Sequence, residues 1–155
     1  MTVQMDRPTD ELGRAVRSKH LMEVAQLDYR RSIKHLEEQG RPQVEVARAL
    51  GVAQPSLSSA LKSARKVPEA VQGFSGAGPY EICQRFVVDQ IDRARLVEEL
   101  ARWEYAPVPQ PEWLEDVVPG PGPGSWDEVE DAVEDGLIDD GIYDEVQKRR
   151  FPQSA

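Results

Sequence analysis

The chain has a single cysteine, Cys83, among 155 residues. No internal disulfide can form, and this usage fits a reducing, cytoplasmic setting. No apolar run approaches the roughly 20 residues that a helix needs to cross a bilayer. The N-terminus, MTVQMDRPTDELGR, lacks a basic stretch followed by an apolar one, which argues against a secretory signal. The two histidines, His20 and His35, have no cluster of Cys, His or carboxylate around them at metal-ligand spacing. Carboxylates do occur in adjacent pairs, at Glu98-Glu99, Glu130-Asp131 and Asp139-Asp140. Neighbours on a helix point in different directions, so these pairs read as surface charge or caps and not as a general acid and base. The glycine-rich GAGP and PGPGPG lack the strand–helix setting and the lysine of a phosphate-binding loop. No strand pattern and no internal repeat is visible. These absences exclude the common enzyme signatures, imply no cofactor and leave an all-α protein as the expected fold class.

What is present is a division of charge. Residues 1–66 hold 12 Lys/Arg against 8 Asp/Glu, a net of +4, whereas residues 67–155 hold 7 against 20, a net of −13. A basic end joined to an acidic end points to two different jobs.

The first helix is expected from about Val16 to Gln39, a stretch free of proline and glycine. Met22, Ala25, Tyr29, Ile33 and Leu36 recur there at intervals of three or four and share one helical face. Gly40 stops this helix, and Arg41-Pro42 opens the next element. Two short helices fit within 43–66, with a break at Gly51. Residues 67–79 form a connector, followed by a helical hairpin that turns at 89–92, where Asp92 caps its second helix. Residues 106–124 hold six prolines and three glycines, which excludes a helix and predicts a linker. Beyond it, Ser125-Trp126-Asp127-Glu128 has the spacing of a capping box, Gly136 ends that helix, and Asp139-Asp140 opens the last one. The expected organisation is therefore 1–66, 67–105, 106–124 and 125–155.

The region 43–66 carries the most information. Two helices meeting at a steep angle need a small residue at the contact, and Ala47 supplies it. The turn needs positive φ, and Gly51 stands four residues later. Val46, Leu50, Val52, Leu57 and Leu61 are placed to fill the angle. Gln54, Ser56, Ser58, Ser59 and Lys62 are left to face outward, and Pro55 is tolerated in the first turn of a helix. The spacing Gln43-x3-Ala47-x3-Gly51-x5-Leu57 with Leu61, and the phrase GVAQPSLSSAL, resemble the helix-turn-helix of bacterial and phage DNA-binding regulators, including repressors and antitoxins. One departure is Ala53, where such motifs have Ser or Thr as the N-cap.

The resemblance implies a sequence-specific regulator, a repressor by expectation, whose helix starting near Gln54 enters the major groove of double-stranded DNA. Gln54 then reads bases, with Pro55, Ser56, Ser58 and Ser59 beside it. Lys62, Arg65 and Lys66 face the phosphates, and Gln43 and Arg48 complete the expected DNA-binding set. It also implies a homodimer on an inverted-repeat operator, because one motif covers half a site. The dimer contact is expected on the 16–39 helix or on the 79–104 hairpin. The two-part plan further resembles antitoxins that pair a DNA-binding head with a toxin-binding arm. On that alternative the C-terminal segment docks on a protein partner through Trp126, Val129, Val133, Ile142, Tyr143 and Val146.

Overall fold

A computed structural model describes residues 10–107 and 123–152. Among these residues every regular element is a helix, as expected for an all-α chain. The order is α1 (Glu11–Glu38), α2 (Gln43–Leu50), α3 (Gln54–Ala64), α4 (Pro79–Val87), α5 (Arg93–Arg102), α6 (Asp127–Glu134) and α7 (Asp140–Arg150). No helix among the described residues is long and apolar enough to cross a membrane. The chain divides into two compact units, Met1–Glu69 and Ala70–Ala155.

In the first unit, α1 starts five residues earlier than the expected Val16, because Asp10 caps it. The Asp10 carboxylate accepts from the Gly13 N–H at 2.8 Å, satisfying one of the orphan donors of the first turn. Gly40, at φ +76°, closes the helix in the left-handed region as the sequence signal required. The C-terminal part of α1 packs on α2 and α3 around Ile33, Val46, Ala47, Leu57, Leu61 and Ala64, with Leu36 and Ala60 at the edge. The expected apolar face of α1 is only half right. Ile33 and Leu36 meet this core, but Met22 is 67 % exposed and Tyr29 38 %.

The segment after α3 is tied back onto α1. The Arg31 guanidinium donates to the Pro68 carbonyl and the Lys34 ammonium to that of Val67, each at 3.0 Å. Glu69 lies between Lys34 and His35, 2.9 and 2.8 Å away, and these partners hold its carboxyl below the usual range.

The second unit is built from two helical hairpins that share one core. Ile82, Cys83, Leu96, Val97 and Leu100 come from α4 and α5. Val129, Ala132, Leu137, Ile138, Ile142 and Val146 come from α6, α7 and their junction. The expected turn and caps are in place: the Asp92 carboxylate accepts from the Arg95 N–H and that of Asp139 from the Ile142 N–H, both at 2.8 Å. Gly136 turns the chain after α6 at φ +77°. The capping box at 125–128 does not form. Ser125 is buried, Trp126 occupies the N-cap position in a helical conformation, and the Glu128 carboxylate accepts from the backbone N–H groups of Gly124 and Tyr80 instead. Glu128 thereby joins the start of α6 to the start of α4.

Two other carboxylates are buried, and both are matched with donors. Glu81 pairs with Arg85 at 2.9 Å and accepts from the Ala77 N–H at 3.1 Å. Glu99, 1 % exposed, accepts from the backbone and hydroxyl of Ser75. An unmatched buried carboxylate costs several kcal/mol, so each of these donors matters for the fold. The 106–124 segment, expected as a linker, lies mostly outside the described residues.

Candidate nucleic-acid interface

The residues Gly51, Val52 and Ala53 connect α2 to α3. Gly51 adopts φ +69°, and its N–H and that of Val52 close the end of α2 on the carbonyls of Arg48 and Ala47. Ala47 is buried at the contact of the two helices. Pro55 sits in the first turn of α3, where no intrahelical N–H is required of it. Ala53 takes the extended conformation of an N-cap, at φ −70° and ψ 144°, but offers no side-chain acceptor. The departure noted in the sequence therefore leaves the first N–H groups of α3 without a capping oxygen.

Leu57, Leu61 and Ala64 point α3 into the core. Helical spacing then sets the opposite stripe as Pro55, Ser59 and Lys62, at intervals of four and three, and Lys66 follows in the turn after α3. All four are exposed. Gln54, Ser58 and Arg65 run along one border of that stripe, and Ser56 and Ser63 along the other. Gln54, Ser56 and Ser63 are exposed and Ser58 is half-buried. Ser63 was missed in the sequence, although its offset of seven from Ser56 and four from Ser59 places it on the same side. Gln43 is half-buried at the start of α2, and Arg48 is exposed near its end.

One expectation needs correction, and one candidate cation is already paired. Leu50 and Val52 do not fill the angle between the helices: they are 41 % and 38 % exposed. Ala47 brings α2 and α3 close enough for Val46, Leu57 and Leu61 to fill the angle, and the two residues flanking Gly51 are carried outward with the turn. Arg65 is not an open cation. Its Nε and Nη2 donate to the two carboxylate oxygens of Glu37 at 2.8 and 2.6 Å. That pairing lowers the Glu37 pKa and raises that of Arg65. Arg48, Lys62 and Lys66 enter no ion pair among the described residues.

The candidate partner-binding residues in the second unit are placed differently from the expectation. Val129 and Val146 are wholly buried and Ile142 is 3 % exposed, all within the chain's own core. They cannot anchor a partner without unfolding the unit. Trp126, Val133 and Tyr143 are half-buried and pack against the same core. The C-terminal helices have few apolar residues of their own, and α4 and α5 supply the rest.

Comparison with protein-family models, with curated proteins and with solved structures finds no match for this chain.

Proposed function

We propose that the chain is a sequence-specific DNA-binding regulator in which α3 enters the major groove. The observation that carries the reading is the composition of the outward side of α3. It is polar and uncharged at Ser56, Ser59 and Ser63 and at the border residue Gln54, cationic at Lys62 with Lys66 just beyond the helix end, and free of large apolar residues and carboxylates. A solvated helix face is polar in any case, and here it is built from short hydroxyl and amide side chains with cations and no carboxylate. A helix in the major groove uses that combination, since short polar side chains meet base edges and cations meet phosphates. The positive-φ turn at Gly51 and the buried Ala47 support it by presenting α3 at the surface of the first unit.

In this reading Gln54 is the base reader. Its amide has the donor and acceptor needed to pair with adenine through two hydrogen bonds. Lys62, Lys66 and Arg48 neutralise phosphates. The test is selection of bound duplexes from a random pool by the purified full chain. Enrichment of a defined sequence supports the reading, and an inverted repeat in it means that two copies bind together. A pool that stays random after repeated rounds overturns it.

A further inference from the structure

We infer that Glu37 withholds Arg65 from DNA, so that Arg65 is a positioning residue of the interface and not one of its phosphate contacts. The inference rests on the DNA-binding reading above. Arg65 lies at the C-terminal end of α3, on the border of the stripe that carries Lys62, with Lys66 following it. By position alone it would be counted among the phosphate-binding cations. Its guanidinium is nevertheless occupied on two nitrogens by both oxygens of the Glu37 carboxylate, 2.8 and 2.6 Å away. Bidentate pairing of this kind is the strongest geometry that an arginine makes with a carboxylate. It joins the end of α3 to the last part of α1.

Exchange of Glu37 for a phosphate is opposed by a simple balance. Arg65 trades one anion for another and gains little. Glu37 is left as a bare carboxylate beside the sugar–phosphate backbone, where like charges repel. Arg48, Lys62 and Lys66 have no such partner among the described residues and take up phosphates at no comparable cost. The consequence concerns specificity. Affinity for random DNA rises with the number of phosphates neutralised, whereas base readout does not. Withholding one cation lowers background binding and leaves the Gln54 contact intact, which widens the ratio between cognate and random sites.

The experiment measures affinity of the full chain for a mixed-sequence duplex across a salt series. Wild type is compared with Arg65→Gln, Glu37→Gln and the double variant. The slope of log affinity against log salt changes by about 0.9 for each phosphate gained or lost. Arg65→Gln and the double variant are expected to keep the wild-type slope. Glu37→Gln is expected to steepen it, losing about 3.5-fold more affinity than wild type over a fourfold rise in salt. Melting followed by circular dichroism checks that each variant is folded, and both side chains are exposed enough for substitution to be tolerated. A flatter slope for Arg65→Gln, or an unchanged one for Glu37→Gln, overturns the inference while leaving DNA binding standing. A wild-type chain that binds no duplex at all overturns both.

Discussion

The Trp126 indole N–H donates to the Tyr143 hydroxyl at 3.2 Å, joining the start of α6 to the first turn of α7. The contact is one part of an aromatic cluster. Tyr105 meets Trp126 edge-on with ring centres 5.0 Å apart, and the Arg150 guanidinium lies 4.2 Å from the Tyr105 ring centre and 4.5 Å from that of Trp126. The Tyr105 hydroxyl donates to the Leu100 carbonyl at 2.6 Å. Residues after α5 and residues at the end of α7 are thus held in one place. The second unit is expected to fold as a whole or not at all. Ile142→Ala should cost about 2–5 kcal/mol, the range for emptying a buried aliphatic site. Arg150→Ala should cost about 0.5–2 kcal/mol through the lost ring contacts. Urea unfolding followed by tryptophan fluorescence reads both. An Ile142→Ala chain as stable as wild type would mean that α7 is not part of this core.

Cys83 provides a second probe of the same unit. The thiol is buried, and burial, with Glu128 nearby as a smaller cause, pushes its pKa up from 9.0 to about 12. A thiol with no solvent contact and almost no thiolate does not react with alkylating reagents in the folded state. Its labelling rate at neutral pH should therefore track opening of the unit and rise with denaturant. The pH dependence has a definite sign. The unfolded thiol loses its proton near pH 9 while the folded one keeps it, so this group's contribution to stability is intact below pH 9 and is lost between about pH 9 and 12. Cys83→Ala should remove that component of the alkaline decline. Fast stoichiometric labelling of the native chain would contradict the burial.

The local features were readable from single residues. Gly40, Gly51 and Gly136 mark left-handed turns because glycine enters that region with no Cβ penalty. Asp92 and Asp139 cap helices because an acceptor there meets an N–H three residues on. The features that were not readable depend on contacts distant in sequence. Val129, Ile142 and Val146 look like a thin exposed stripe until α4 and α5 are placed against them across the intervening 106–124 segment. Glu128 fits a capping box by spacing, yet the N–H of Tyr80, 48 residues earlier, attracts it elsewhere. Arg65 reads as one open cation among several, and only the position of Glu37 on α1 shows that it is paired.

Gly51 offers a test of the turn itself. An added Cβ at this position meets nothing within 4 Å, so crowding is not at issue and only the backbone conformation is. Gly51→Ala should then cost the left-handed penalty alone, about 1–2 kcal/mol. Gly51→Asn should cost less, because asparagine tolerates that conformation better. Thermal melting of the two variants checks the order. Equal and negligible losses would show that the turn does not require positive φ.

Ala53 is a place where stability can be added. The residue already has the extended conformation of an N-cap, and only the side-chain oxygen is missing. Ala53→Ser should stabilise the first unit by about 0.5–2 kcal/mol, the usual worth of an N-cap hydroxyl. The gain should appear as a higher unfolding midpoint with an unchanged denaturant slope, because the surface exposed on unfolding is the same. A loss of stability would mean that the start of α3 is satisfied in another way.

Gln54 and Lys62 separate base reading from charge. With the sequence enriched from the random pool in hand, Gln54→Ala should weaken binding to it by about 1–3 kcal/mol, close to the worth of one bidentate base contact. Binding to a scrambled duplex should barely change, since no amide–base pairing is formed there. Lys62→Ala should do the reverse. It should weaken the enriched and scrambled duplexes by similar factors and flatten the salt dependence of both by about 0.9. Each side chain is exposed, so neither substitution empties a packed site. The two variants therefore make a paired measurement in which discrimination changes with one and salt dependence with the other. If Gln54→Ala lowers affinity equally for the enriched and scrambled duplexes, Gln54 does not read bases, and the search for the reader moves to Ser56, Ser59 and Ser63 on the same helix.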